Sequence, residues 1–246
     1  MNLILLHDSD FINPSRVRLS GRRFSHIQDI LKAECGQILT VGKINGFMGQ
    51  GTVVSQKADS IELEVKLDNK PPQALALTLI LALPRPPMLK RILFSAAMLG
   101  VKKIIILNFN RVEKGLWNSS SLRPEAIEEQ LVLGLEQAKD TIMPEVIIKK
   151  KFKPFIQDEL PALIKGKQAL VAHPGSNKGD GHILSLNKMC PSPLLTTLIV
   201  GPEGGIIDHE IELLKAAGCQ TLDLGPRILR TEYVLPYVVG RLLEFS

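Results

Sequence analysis

Aromatic side chains make up only 4% of the 246 residues, with one Trp and two Tyr, too few to lay out the stacking platform on which an RNA-recognition motif holds successive bases. Cysteine is scarcer still. Cys35, Cys190 and Cys219 are odd in number and far apart, without the spacing of a zinc site or a CxxC redox pair, and read as reduced, structural thiols. No apolar run approaches the ~20 residues of a membrane-crossing helix. Asp8 and Asp10 follow Leu3–Leu6 too closely for a signal peptide, so the default expectation is a cytoplasmic location with no membrane partner. GxxxxGK[ST] and GxGxxG are both missing, which disfavours a nucleoside triphosphate or a nicotinamide dinucleotide. A GxSxG elbow, a flanking pair of carboxylates and a His/Cys/carboxylate cluster are missing too. These absences weigh against serine-hydrolase, glycosidase and metal chemistry.

What is present is an ordinary globular balance, 45% hydrophobic and 22% charged, in a chain long enough for one large or two modest domains. A net charge of +5 is compatible with a polyanionic partner, and its distribution says more than its size. Between Phe11 and Gln28 stand Arg16, Arg18, Arg22 and Arg23 with no acidic residue among them. A second basic cluster, Lys149, Lys150, Lys151 and Lys153, reads as a solvated surface run.

The first seventy residues predict a small β domain. Short apolar runs at Leu3–Leu6, Ile38–Ile44, Thr52–Val54 and Ile61–Val65 are separated by turn signals, Asn45-Gly46 being a hairpin dipeptide, and a small barrel would close them. One helix is expected over Ser25–Ala33, with Ile27, Ile30 and Leu31 on one face. The polar, proline-bearing Asp68–Gln73 marks a boundary, giving domains at 1–70 and 74–246. Beyond it strands and helices alternate. Strands are expected at Ala76–Ala82, Lys103–Leu107, Val146–Ile148, Ala169–Ala172, Leu195–Val200 and Thr221–Leu224, with helices at Met88–Leu99, Pro124–Lys139, Phe155–Leu163 and Asp208–Ala217. A last helix carries Leu235, Val238, Val239, Leu242 and Leu243 as a stripe that is either core or dimer surface, with Pro236 placed in its first turn. This alternation predicts an α/β fold with a mostly parallel sheet, whose ligand lies beyond the strand carboxyl ends. Three loops stand there and should converge: Ala172–Asn177, Gly201–Gly205 and Gly225–Thr231. Taken alone, the Gly201–Gly205 loop is either a tight turn or a place where backbone approaches a ligand.

Leu198–Ile206, LIVGPEGGI, followed by Leu224–Glu232, LGPRILRTE, resembles the paired signature of the RsmE family, SPOUT-class methyltransferases acting on N3 of a uridine in small-subunit ribosomal RNA. Leu99-Gly100-Val101, Glu136-Gln137, Met143-Pro144-Glu145 and His173-Pro174 extend the resemblance along the whole chain. It implies a C-terminal α/β trefoil-knot domain, a small N-terminal PUA-like β-barrel and a homodimer through the C-terminal domain. S-adenosylmethionine would lie among the three loops, held by His173, Pro174, Val200, Gly201, Pro202, Glu203, Gly204, Gly205, Leu224, Gly225, Pro226, Ile228, Leu229, Arg230 and Thr231. The glycines would let the backbone close on it. Arg230 would stabilise the developing uracil anion, and Glu203 is either a base or a carboxylate satisfied by N–H groups at a helix N-terminus. Arg16, Arg18, Arg22 and Arg23 would hold phosphates of ribosomal RNA or of the small subunit, or else form a solvated face.

Three departures from that family's pattern bear on activity. Tyr233 stands where a second small hydroxyl is expected, Asp140 where an arginine is common, and Met98 where the helix usually carries a glutamate. The alternative reading is a non-catalytic or retargeted RNA-binding or ribosome-assembly paralogue that keeps the fold.

Overall fold

The computed structural model describes residues 2–174, 183–185 and 195–242. Two compact units emerge: Met1–Gln73 with Leu131–Met143, and Ala74–Gln130 with Pro144–Ser246. Among the described residues no helix is long and apolar enough to cross a membrane.

The smaller unit carries a six-stranded sheet formed by β1 (Ile4–Leu6), β2 (Phe11–Asn13), β3 (Arg16–Ser20), β4 (Ile38–Lys43), β5 (Met48–Gln56) and β6 (Ser60–Asn69). Its order is β1-β4-β5-β6-β3-β2, with β1 parallel to β4 and the other pairs antiparallel. Asn45, at φ 58°, adopts the left-handed backbone that the β4–β5 hairpin requires, and Gly46 donates its N–H to the Lys43 carbonyl. The arginine-bearing stretch, which carries no apolar run, contains β3. Val17 and Leu19 point into the core opposite Leu63 and Ile61, so the intervening Arg16 and Arg18 fall opposite Glu64 and Glu62 on the other face.

The helix expected over Ser25–Ala33 starts earlier, as α1 (Gly21–Ser25), and continues into a π turn at His26–Ile30. The wider turn keeps Phe24 and Ile27 in the core. It leaves Ile30 at 70% and Leu31 at 37% exposure, contrary to the single apolar face the spacing suggested.

In the larger unit seven strands are joined only by parallel pairings: β7 (Leu75–Ala82), β8 (Val101–Leu107), β9 (Glu145–Lys149), β10 (Gln168–Ala172), β11 (Ile183–Ser185), β12 (Leu195–Val200) and β13 (Gln220–Asp223). The order is β11-β13-β10-β12-β7-β8-β9. Near-continuous apolar runs such as Leu79–Leu83 and Ile104–Leu107 are fully buried, as parallel strands require. Between the strands run α2 (Pro86–Met98), α3 (Pro124–Ala138), whose residues from Leu131 on belong to the smaller unit, the short α4 (Phe152–Pro154) and α5 (Leu160–Ile164), and α6 (Asp208–Ala216); α7 (Thr231–Leu242) follows the last strand. A π turn at Phe155–Glu159 joins α4 to α5.

Pro86 and Pro87 open α2, where a missing N–H costs nothing because the first turn has no intrahelical acceptor to give it. The stripe on α7 is core: Leu235, Val238 and Val239 are at most 1% exposed. Leu243 lies outside the described residues. Pro236 stands inside α7 and not in its first turn, because the helix begins already at Thr231. The carbonyl of Glu232 consequently lacks its helical donor.

Candidate functional site

The strand order makes β10, β12 and β13 near neighbours in a parallel array, so the segments following them leave the sheet at the same end. They surround one cavity of about 560 Å³, within the range of small-molecule sites (about 300–1,000 Å³). His173 and Pro174 follow β10; Gly201, Pro202, Glu203, Gly205 and Ile206 follow β12; Leu224, Gly225 and the run Arg227–Val234, apart from Tyr233, follow β13. Of the fifteen residues expected to hold a cofactor, thirteen line this space, while Gly204 and Pro226 do not. Gly175, Ser176 and Asn177, also expected in the first loop, lie outside the described residues. A fourth wall was not foreseen. Arg85, Pro87 and Met88 follow β7, which pairs with β12, and only that pairing brings them here.

Within the loops themselves the glycines have conformational roles. A Cβ on Gly201 would clash with Cγ1 of Ile206, so this glycine lets the loop fold onto its own apolar anchor. Gly205 and Gly225 have φ of +79° and +111°, conformations that a side chain resists. Glu203 is satisfied at a helix N-terminus, but that of α2 and not of its own downstream helix: the backbone N–H of Arg85, the α2 N-cap, donates to its Oε1 at 3.1 Å. The Arg85 guanidinium in turn pairs with Glu113 at 2.9 Å.

His173 donates its backbone N–H to Leu222 at 3.1 Å. Burial holds its imidazole below the ordinary histidine pKa; nearby Asp208 works in the opposite direction and Lys215 in the same one. The His173 Nδ1 is buried without a hydrogen-bond partner among the described residues.

The far wall is built at the start of α7. Glu232 is buried, its side chain 4% exposed, and its Oε1 stands 3.5 Å from Nη1 of Arg91 and 3.6 Å from Nε of Arg230. One carboxylate thus steers two guanidinium groups, and Arg230 keeps 70% of its side chain exposed. Glu232 was legible as part of the RTE triplet but was not singled out as a site residue. Tyr233 turns away. It lines a second cavity of about 490 Å³ and not the first, so the phenol does not narrow the space beside Arg230.

In the smaller unit, the four arginines expected to bind RNA have unequal freedom. Arg23 is 17% exposed; it donates to Asp10 Oδ1 at 2.7 Å and to the Leu5 carbonyl at 2.8 Å, and is committed to the core of its own unit. Arg22, half exposed, donates to both carboxylate oxygens of buried Glu136 at 2.9 and 3.0 Å. Burial raises the Glu136 pKa, and the charge and hydrogen bond of Arg22 oppose that rise. Arg18 pairs with Glu62 at 2.9 Å while staying 53% exposed, and Arg16 is exposed. Asp140, which stands where an arginine was expected, is buried at the end of α3 and accepts the Ile142 N–H at 2.9 Å. Its reversed charge therefore serves a turn.

Cys219 is buried, which pushes its thiol up to about 12, whereas Cys35 is exposed. Cys190 lies outside the described residues. Among those residues no group of three His, Cys, Asp or Glu side chains is placed to hold a metal ion.

Residues 71–242 match the family described as RNA methyltransferase domain. Ribosomal RNA small subunit methyltransferase E of Treponema pallidum is 27% identical over 94% of this chain and 86% of its own length. Ribosomal RNA small subunit methyltransferase E 1 of Borreliella burgdorferi is 24% identical over 94% and 93%. Among solved structures, the ribosomal RNA small subunit methyltransferase E of Neisseria gonorrhoeae bound to S-adenosyl methionine aligns with a TM-score of 0.72, at 20% identity over 98% of this chain and 96% of that one. A methyltransferase of Legionella pneumophila in complex with the same cofactor aligns at 0.70, with 22% identity over 98% and 96%.

Proposed function

The chain belongs to the RNA methyltransferase family, within its ribosomal RNA small subunit methyltransferase E group, and from that membership we propose that it methylates N3 of a uridine in small-subunit ribosomal RNA. The observation that carries this reading is the convergence of the loops after β10, β12 and β13 on one cavity that Arg230 helps to line.

S-adenosylmethionine fits the donor set, and when bound it supplies an electrophilic methyl group. The lining combines the loop segments Gly201–Glu203 and Leu224-Gly225 with His173 and apolar Met88, Ile206, Leu229 and Val234. Ile228 is 86% exposed and would gain cover from an occupant. Gly201 and Gly205 hold the middle loop in shape.

Uracil N3 carries a proton at neutral pH, so its methylation requires either a base or stabilisation of the uracil anion. Arg230 is the group for the second route. Its guanidinium is exposed at the cavity wall and is steered by Glu232, placing a fixed positive charge where negative charge would grow on a uracil carbonyl oxygen. Glu203 serves as an anchor in this reading, since its carboxylate already accepts the Arg85 N–H.

We read the larger unit as a SPOUT-type trefoil knot and the smaller one as a PUA-like barrel. The likeness to the two cofactor-bound structures and the insertion of β12 between β10 and β7 support that assignment. Arg16 and Arg18, with the exposed half of Arg22, are the phosphate contacts proposed for the smaller unit. A homodimer through the larger unit is proposed on the exposure of Met98 and Tyr237, each 38%, and a cytoplasmic location follows from the substrate.

The test is calorimetry with S-adenosylmethionine, followed by methyl transfer to naked small-subunit RNA and to assembled subunits, with 3-methyluridine identified by mass spectrometry of nucleosides. Micromolar binding and 3-methyluridine are expected. Binding with no transfer to either substrate would favour the non-catalytic paralogue, and no binding would overturn the reading.

A further inference from the structure

The carboxyl rim of the larger sheet continues past the first cavity. In the order β12-β7-β8-β9 the segments after β8 and β9 leave at the same end as the loop after β12, and three strand spacings set β9 about 14 Å across from it. These two segments are tied to each other. Asn108 donates its N–H to the Lys149 carbonyl at 3.0 Å, its Oδ1 accepts Trp117 Nε1 at 3.0 Å, and Phe109 packs on Phe152 with ring centroids 4.8 Å apart. They also reach back to the loop after β12, because the Arg111 guanidinium donates to the Gly204 carbonyl.

Charge is distributed unevenly along this strand pair. At its amino end Lys103 of β8 stands opposite Glu145 of β9, with Nζ and Oε2 3.6 Å apart. At its carboxyl end the acids are already engaged: Glu113 pairs with Arg85 at 2.9 Å, and Glu159, in the π turn beyond, pairs with Lys149 at 2.8 Å. Lys114, Lys150, Lys151 and Lys153 are exposed there, and none has a carboxylate partner among the described residues. Trp117, the only tryptophan of the chain, stands among them. Lys150 Nζ lies 5.9 Å from the centroid of its ring, and Lys114, three residues earlier in a 3-10 turn, is on the same side of that turn.

We propose that the substrate RNA strand runs along this rim from the first cavity, its phosphates held by Lys114, Lys150, Lys151 and Lys153. The inference rests on the proposed RNA methylation, and deepens it by giving the larger unit its own phosphate contacts. Four cations with no carboxylate among them, one steadied over an indole ring, form a surface for a polyanion. A second copy of the chain is disfavoured as the occupant, because a two-fold contact sets a patch against itself and would bring lysines against lysines. The residues proposed for the dimer also lie elsewhere: Met98 ends α2 where the chain enters the amino end of β8, and Tyr237 is on α7. Contacts to phosphate fix the path of the strand and carry no base preference.

The test uses the full chain and two probes, a single-stranded oligouridylate for binding and small-subunit RNA for transfer. Two double variants remove equal charge from opposite ends of the sheet: Lys151→Ser with Lys153→Ser at the rim, and Lys165→Ser with Lys167→Ser, exposed just before the amino end of β10. The rim variant should lower the slope of log K against log salt by about 1.4, the share of two phosphate contacts on a single strand. It should raise the KM for RNA about fivefold, with kcat and S-adenosylmethionine affinity unchanged. The amino-end variant should match the parent. Oligouridylate should also change the emission of Trp117, the sole tryptophan. Equal slopes in the rim variant and the parent would overturn the proposal, as would binding that leaves Trp117 emission untouched. So would an equal fall in both variants, which would mark a general effect of net charge. A rim-dependent slope in a chain that transfers no methyl group would instead sink the methyltransferase reading and leave the phosphate surface standing.

Discussion

The cations of the two units are partnered in opposite ways. In the smaller unit each of three arginines has a carboxylate to itself: Arg18 with Glu62, Arg22 with Glu136 and Arg23 with Asp10. At the start of α7 in the larger unit the ratio is reversed, with Arg91 and Arg230 sharing Glu232 and Lys90 beside them unpaired among the described residues. The first arrangement spends its charge inside the fold, whereas the second leaves positive charge at a cavity. The linear clustering of Arg16, Arg18, Arg22 and Arg23 does not reveal which of them the fold supplies with a carboxylate. How free each cation is depends on how many carboxylates the fold sets beside it, and those partners lie from 2 residues away, for Arg230, to 141, for Arg91.

That contrast can be broken by substitution, the largest effect being expected at Arg23. Arg23→Ala leaves the buried Asp10 carboxylate with only the His7 N–H among the described residues, and should cost about 3 kcal/mol of stability, read by chemical denaturation. Loss of RNA affinity with parental stability would show that Arg23 is a binding residue after all. Next in size, Arg230→Ala should lower kcat for methyl transfer about a hundredfold while changing stability by less than about 0.5 kcal/mol. Transfer at the parental rate would remove Arg230 from the mechanism.

Arg22→Ala sharpens the comparison through pH. Burial raises the folded-state pKa of Glu136, so this group's contribution to stability is fully present below its unfolded pKa and is lost as pH rises through the folded one. Removing Arg22 takes away the opposing influence and raises that pKa further. The variant should therefore be about 1–2 kcal/mol less stable than the parent at neutral pH, and the two should converge below about pH 4. A difference independent of pH would show that the ion pair is not its source. The smallest effect belongs to the exposed strand face. Arg16→Ser with Arg18→Ser should leave Tm within about a degree, while lowering the salt slope of RNA binding by up to about two. An unchanged slope would withdraw the phosphate contacts from β3.

Much of the larger unit was legible because its signals are local. Parallel strands buried on both faces read as apolar runs, Leu89, Leu93 and Ala96 fall at helical spacing, and the loops that follow such strands must leave at one end of the sheet. Thirteen of the fifteen expected cofactor residues line one cavity for that reason. The wall at Arg85–Met88 was not legible, because it depends on β7 lying next to β12, strands more than a hundred residues apart. In the smaller unit β3 was missed since its two inward residues, Val17 and Leu19, are interleaved with arginines that drew the eye to charge. The assignment of Leu131–Met143 to that unit had no local signal either. It shows only in contacts such as Thr141 Oγ1 donating to the Gly46 carbonyl and Met143 N–H donating to Asn45.

By itself, the sequence determined the succession of strands and helices, the Asn45-Gly46 turn, and the three glycine- and proline-marked loops. These follow from periodicity and backbone freedom over a few residues. Only the tertiary structure decided that Glu203 answers the N–H at the start of α2, that Asp140 is buried in a turn, and that Tyr233 opens onto a second cavity. A side chain's role depends on which distant groups share its low-dielectric surroundings. That pairing is a property of strand order, which local pattern does not encode.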